Sequence, residues 1–166
     1  MYINTKLENF NIRYATKDDI GLILDFIKEL AEYEEMLDLV EATEEILMES
    51  LFEEKYAEIV IGEYNNKPAA FALFFHNYST FVGRPGLYLE DLFVKEEFRG
   101  KGIGTIMLAF LAKIAVERRC GRFEWWCLDW NKPSIDFYEK MGAKAMDEWT
   151  VFRVDDKALV DLAHKF

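Results

Sequence analysis

The stretch Arg99-Gly100-Lys101-Gly102-Ile103-Gly104 constrains the architecture more than any other part of the chain. It lies between an apolar, strand-forming run over residues 87–94 and a segment from about Thr105 whose apolar residues recur at helical spacing. Strand, glycine-rich loop and helix, in that order, form an anion site. Glycines at 100, 102 and 104 remove side chains where backbone N–H groups must face a ligand, and the helix start adds the positive end of its dipole. A phosphate-bearing small molecule is the expected occupant. A turn without a ligand would leave unexplained why three glycines stand where better helix formers could begin a helix.

Spacing separates the phosphate loops this could be. A P-loop needs G-K-[ST] after four intervening residues, and Gly102-Ile103-Gly104-Thr105 lacks it. The dinucleotide fingerprint springs straight from its strand, whereas here Lys95 to Phe98 intervene and the glycines fall two apart. Asp129 stands at roughly the right distance to act as a ribose-binding acid, which keeps that reading open. The third pattern, Arg99-x-x-Gly102-x-Gly104, is similar to the R/Q-x-x-G-x-G/A pyrophosphate loop of the GNAT acetyltransferases and fits at every defined position.

With 166 residues, 51% of them apolar, the chain fills one core and is too short for two ordinary domains, so a single domain over 1–166 is expected. A net charge of −11 opposes a nucleic-acid or anionic-membrane partner and suits a small cationic substrate. Cys120 and Cys127 form neither a disulfide framework nor a zinc pattern and read as reduced, buried thiols. No basic segment followed by an apolar stretch opens the chain, and no apolar run approaches the ~18 residues of a membrane helix. A soluble, cytoplasmic protein without a metal is expected.

Along the chain, residues 10–15 read as a strand ended by Thr16, with Asp18 and Asp19 in the first turn of a helix that carries Ile20, Ile23, Leu24, Ile27 and Ala31 on one face. An acidic connection over 32–41 leads to a helix capped by Thr43, with Ile46, Leu47, Ser50 and Leu51 at helical spacing. Strands over 57–64 and 69–78 flank Asn65-Asn66-Lys67-Pro68, a hairpin signal. The strand over 87–94 and the glycine loop feed a helix with Ile103, Met107, Phe110, Leu111 and Ile114 inward, ending near Arg118, Arg119 and Gly121. Residues 123–128 read as a buried strand, Asn131 as an N-cap with an early helical proline at 133, and Gly142 as that helix's stop. A last strand over 149–154 precedes a short helix capped by Asp155 or Asp156. The order β-α-α-β-β-β-α-β-α-β plus a terminal helix implies an α/β layered sandwich with a mixed sheet.

Three runs bring a narrower likeness: Tyr88-Leu89-Glu90-Asp91-Leu92-Phe93-Val94, the loop Phe98 to Gly104, and Trp130-Asn131-Lys132-Pro133-Ser134-Ile135-Asp136-Phe137-Tyr138. Together with Lys28-Glu29-Leu30-Ala31-Glu32-Tyr33-Glu34 they resemble the diamine (spermidine/spermine) N-acetyltransferase branch of the GNAT superfamily, to which the thialysine acetyltransferases are close relatives. That resemblance implies a GNAT-like sandwich, with a mostly antiparallel central sheet and helices on both faces. It also implies acetyl-coenzyme A as cosubstrate, a small amine as acceptor and a homodimer. Leu92, Phe93 and Val94 would offer main-chain groups to the pantetheine and acetyl carbonyl. Arg99, Gly100, Lys101, Gly102, Ile103, Gly104 and Thr105 would hold the pyrophosphate, and Asn131, Lys132, Pro133 and Ser134 would contact the coenzyme A arm. Tyr138 would be the general acid. On the acceptor side the likeness places Tyr33, Glu34, Glu90, Asp91, Glu124, Trp125, Trp126, Glu148 and Trp149.

The chemistry is consistent with those types. Direct attack of an amine on a thioester forms a tetrahedral oxyanion and expels a thiolate, so each needs a donor. A tyrosine with an ordinary pKa of about 10 stays protonated at neutral pH and can give its proton to sulfur. The amine must lose a proton first, and Glu90, acting through water, is the acceptor read for it. Glu90 and Asp91 are neighbours in a strand and are expected on opposite faces. By composition alone Tyr138 reads as a core tyrosine, the acids at 32, 34 and 35 as a solvated face, and the three tryptophans as core or interface residues. The expected acceptor is a polyamine or diamine, with the side-chain amine of thialysine or another amino acid as the alternative; a coenzyme A or nucleotide-binding module without turnover is the non-enzymatic reading.

Overall fold

Six strands lie in one sheet in chain order in the computed structural model, which describes residues 1–166: β1 (Tyr2–Asn4), β2 (Phe10–Tyr14), β3 (Glu58–Tyr64), β4 (Lys67–Ser79), β5 (Arg84–Val94) and β6 (Arg122–Trp125). The first five pair antiparallel and β6 runs parallel to β5. The parallel pair requires a crossover, supplied by the helix α3 (Ile103–Glu117). The β3–β4 turn is tight because Asn65 and Asn66 both take φ > 0, at 50° and 60°, as the sequence signal predicts.

The pleat divides the apolar residues between two faces. On one, Ile59, Ile61, Phe71 and Phe93 meet Ile20, Ile23 and Phe26 of α1 (Ile20–Tyr33) and Leu47 of the short α2 (Glu44–Leu47). Each such burial contributes roughly 1.5 to 3 kcal/mol. On the other face Gly62 lies against the Phe10 ring and the Met107 sulfur of α3; a Cβ there would come within 2.5 Å of the ring and 3.1 Å of the sulfur. Helices thus cover both faces of a mixed, mostly antiparallel sheet, the expected layered sandwich.

The chain divides into two compact units, residues 1–126 and 127–166. The second holds α4 (Lys132–Lys140) and α5 (Asp156–Ala163). Asn131 caps α4, its side chain accepting from the Ser134 N–H at 3.3 Å, and Gly142 ends that helix region at φ 92°.

Several expectations are corrected. Residues 149–154 form no strand: they pair with no neighbour, and Trp149 and Phe152 are 73% and 89% exposed. An extended segment becomes a strand only where a sheet edge takes its N–H and C=O groups. β6 stops at Trp125 instead of residue 128 and is half-buried, and β1 is an added edge strand. α2 keeps its Thr43 cap, with Ile46 N–H donating to the hydroxyl at 3.2 Å, but widens after one turn into a π-helix, Met48–Glu53. In α3, Leu108 and Ala115 are buried and Phe110 only half-buried. Cys120 and Cys127 are free and also half-buried.

Candidate active site

β5 pairs with β4 along its whole length, but with β6 only from Gly86 to Leu89. From Glu90 to Val94 it has no ladder partner on the β6 side. The cause lies in the register against β4: Phe74 faces Leu89, yet Leu73 faces Asp91, so Glu90 is one residue too many. Such a bulge bends the strand and raises its twist, which ends the parallel pairing one residue earlier, at Leu89. Leu92, Phe93 and Val94 therefore lie on a stretch of open strand edge leading straight towards the glycine loop.

After β5 the chain makes a single 3₁₀ turn, Glu96–Phe98, and enters the loop. Gly100 and Gly102 take φ of 76° and 81°, the left-handed region that a side chain strains. Gly102 caps α3, whose first intrahelical bond runs from Ile106 N–H to the Gly102 carbonyl at 3.1 Å. The N–H groups of Ile103, Gly104 and Thr105 then have no acceptor inside the helix, as in any first turn. Gly104 falls inside α3, and Thr105 and Lys101 are exposed. Arg99 turns back to the open edge: its Nε donates to the Val94 carbonyl at 2.9 Å. Its guanidinium lies 4.8 Å from the centre of the Tyr33 ring and 5.5 Å from that of Phe93.

The bulge also breaks strict alternation along β5. Asp91 shares the α1 face with Leu73, Phe71 and Phe93, and Tyr88, opposite Phe75, is on that same face three residues earlier. α1 ends there in Tyr33 and Glu34, with Glu35 at φ 59° and Met36 N–H closing on the Ala31 carbonyl at 2.8 Å. Acids at 32, 34 and 35 crowd a helix C-terminus, where the dipole favours cations. Stability does not explain that placement.

Burial shapes the charges. Asp91, largely shielded from water and with no hydrogen-bond or ion-pair partner, is pushed up to about 7, by burial first and then by the charges of Glu90 and Glu34. Burial also raises Glu34. Tyr88 is raised to about 12, by burial and by Glu90 and Glu124. Tyr88 packs 5.0 Å from Phe75 and edge-on to Trp126 at 5.9 Å. It belongs to the run Tyr88 to Val94 that carries the family likeness, yet its sharing a face with Asp91 depends on the bulge and could not be read from spacing. Glu124 of β6 is committed elsewhere, to Arg122 at 3.0 Å and to the Asn77 amide. Trp125 packs tilted against Phe123, ring centres 4.8 Å apart, and Trp126 is exposed.

In the second unit, Tyr138 is half-buried on α4 with its ring 5.3 Å from Phe137. Asn131 is buried; Lys132, paired with Asp136, and Pro133 are exposed, and Ser134 is half-buried. Glu148 and Trp149 are exposed in the irregular segment before α5.

Known proteins match this chain over most of its length. The model of the acetyltransferase (GNAT) family matches residues 23–143. A thialysine N-epsilon-acetyltransferase of Sus scrofa is 37% identical over 166 residues, covering 93% of this chain and 97% of that protein. An L-ornithine N5-acetyltransferase of Arabidopsis thaliana is 46% identical over 91 residues, 55% of this chain and 40% of that protein. Among solved structures, an integron cassette protein from the mobile metagenome of V. cholerae superposes with a TM-score of 0.79 at 27% identity, covering 93% of this chain and 98% of that one.

Proposed function

The chain belongs to the acetyltransferase (GNAT) family and is an N-acetyltransferase, and from that premise we propose that it moves the acetyl group of acetyl-coenzyme A to the side-chain amine of a small amino acid of the thialysine or ornithine kind. The observation that carries the donor reading is the open edge of β5 from Glu90 to Val94, running into a loop with two left-handed glycines. Main-chain groups there suit a pantetheine amide, and Arg99, Lys101 and the first turn of α3 suit the phosphates. Arg99 must leave the Val94 carbonyl to do so. Asn131, Lys132, Pro133 and Ser134 keep the role of coenzyme A contacts on the strength of their motif.

The acceptor brings positive charge to a face carrying Glu34, Glu90 and Asp91, with Tyr33 at its edge; Glu124, Trp125, Trp126, Glu148 and Trp149 remain the outer acceptor residues of the family likeness. The full-length relationship to a thialysine enzyme favours an amino-acid amine. A polyamine, which the same acids and the net charge of −11 also suit, is the second reading. We place the reaction in one acetyltransferase domain over 1–166, since the family match runs across the boundary between the two units. The protein acts in the cytoplasm as a homodimer; the exposed apolar side chains of Trp149, Phe152, Leu159 and Phe166 support a second copy as partner. No helix is long and apolar enough to cross a membrane.

A thiol-release assay over thialysine, ornithine, lysine, putrescine, spermidine and spermine tests the acceptor. The amino-acid amines are expected to exceed the polyamines in kcat/KM by about tenfold or more, the discrimination that one well-placed interaction supplies. The reverse order would return the polyamine reading. In the same assay Tyr138→Phe should keep acetyl-coenzyme A binding and lower turnover ~10²-fold to ~10⁴-fold, the usual worth of a positioned acid. Turnover within a few-fold would leave Tyr138 a structural residue.

A further inference from the structure

Three groups beside the glycine loop hold Arg99, and none of them is an acid. The Lys95 N–H donates to the Ala69 carbonyl of β4 at 3.0 Å. Across a planar trans peptide the Val94 carbonyl must then point the opposite way, towards the open edge of β5. Arg99 Nε donates to that carbonyl at 2.9 Å. The guanidinium lies over the Tyr33 ring at the end of α1, 4.8 Å from its centre, and 5.5 Å from that of Phe93. Its two terminal nitrogens donate to nothing in the protein, and no carboxylate pairs with it, in a chain of net charge −11. Arg13, Arg118 and Arg122 each bind a carboxylate instead. An arginine with two uncommitted donor nitrogens, three residues before the cap of α3, is set for an oxyanion from outside the chain.

We infer that Arg99 makes donor choice depend on phosphate: it occupies the Val94 carbonyl that a pantetheine amide needs, and a thioester carrying phosphate draws it away and opens that acceptor. This rests on the acetyl-coenzyme A reading above and holds for either acceptor class. A strand edge receives its partner roughly in the plane of the peptide, and a donor nitrogen 2.9 Å away stands in that place. Phosphate offers the guanidinium bidentate, charge-assisted bonds, stronger than its single bond to a neutral carbonyl. The exchange is therefore favourable for a donor with phosphates. A donor without them must break the same bond and leaves the guanidinium with no new partner. Specificity then comes from a competitor built into the chain as well as from attraction, so that a shorter thioester with the same reacting end is turned away.

The test measures binding to the full chain by calorimetry, with no amine present, for acetyl-coenzyme A and for S-acetylpantetheine. The two share the thioester and the pantetheine arm and differ in phosphate and nucleotide. Arg99 is exposed and lies outside every helix and strand, so replacing it leaves the core alone. Arg99→Met keeps the length of the stem and removes every guanidinium bond. Acetyl-coenzyme A should then bind about tenfold or more weakly, for want of the phosphate partner. S-acetylpantetheine should bind about threefold to tenfold more tightly, the worth of one hydrogen bond that no longer has to be broken. An arginine that only shapes the loop, or only attracts phosphate, cannot move the two ligands in opposite directions.

Two further variants separate the hold on Arg99 from its charge. Tyr33→Leu removes one aromatic face from under the guanidinium but keeps the guanidinium itself, so both thioesters should tighten, by about twofold to fivefold. Arg99→Lys keeps a charge for phosphate and should recover most of the acetyl-coenzyme A affinity lost in Arg99→Met. The inference is overturned if Arg99→Met weakens both thioesters, or if S-acetylpantetheine binds it no better than it binds the native chain. A native chain that bound no acetyl-coenzyme A would instead overturn the donor reading, and this inference with it.

Discussion

At Arg13 and Asp19 a partly buried ion pair does what the Asp91 cluster does not, since every charge there is answered. Arg13 Nη1 and Nη2 each donate to Asp19 at 2.8 Å and its Nε to Glu63 at 2.7 Å, while Thr16 donates to Asp19 through its N–H at 2.8 Å and its hydroxyl at 3.0 Å. The Arg13 guanidinium, with Thr16, holds the Asp19 carboxyl down to about 2. A depressed carboxylate contributes stability that is present above its unfolded pKa, near 3.8, and is lost as pH falls through the folded value. Solvent screening of a partly open site reduces the effect to the order of 1 to 2 kcal/mol. Asp19→Asn should cost at least that much in denaturant unfolding at pH 6, and the gap from the native protein should narrow towards pH 2. A gap independent of pH would mean that shape, not charge, matters at this position. The two aspartates show that residue type says little about role: one is answered by donors and stabilises, the other is enclosed by like charge.

Among the elements, the loop from Arg99 to Gly104 tests most directly whether backbone conformation serves a ligand. Nothing in the protein lies within 4 Å of where a Cβ at Gly102 would stand, so crowding does not require glycine there; the φ of 81° does. Gly102→Val should cost roughly 1 to 2 kcal/mol in stability from the left-handed conformation alone. In the folded variant, acetyl-coenzyme A affinity by calorimetry should fall about tenfold or more, because the added branches meet the approaching phosphates. Unchanged affinity would remove the loop from the donor site. Thr43, Asn131 and the Asn65-Asn66 turn were legible for the same local reason: a cap or a turn is decided within four residues. The π-helix after α2 and the bulge at Glu90 were not, because both depend on how a segment fits its neighbours.

At the scale of the whole molecule, the C-terminal part is the least self-sufficient: no residue of α5 is buried, and the expected strand over 149–154 does not form. If a second copy covers this apolar surface, solution scattering at working concentration should give twice the chain mass, and Phe152→Asp should shift it towards the monomer. A monomeric native protein would refute the homodimer. What the sequence determined by itself were the features whose energetics are local: the glycine loop between strand and helix, the helix caps, the apolar stripes, and with them the layered sandwich. The tertiary structure alone decided where strand pairing stops. The extra residue in β5 exists only relative to β4, and it both opens the edge at Glu90 and turns Asp91 onto the face of Tyr88 and Glu34. Hydrophobic alternation specifies a strand's faces, but register is a property of two strands, and one misplaced pairing reverses every side chain beyond it.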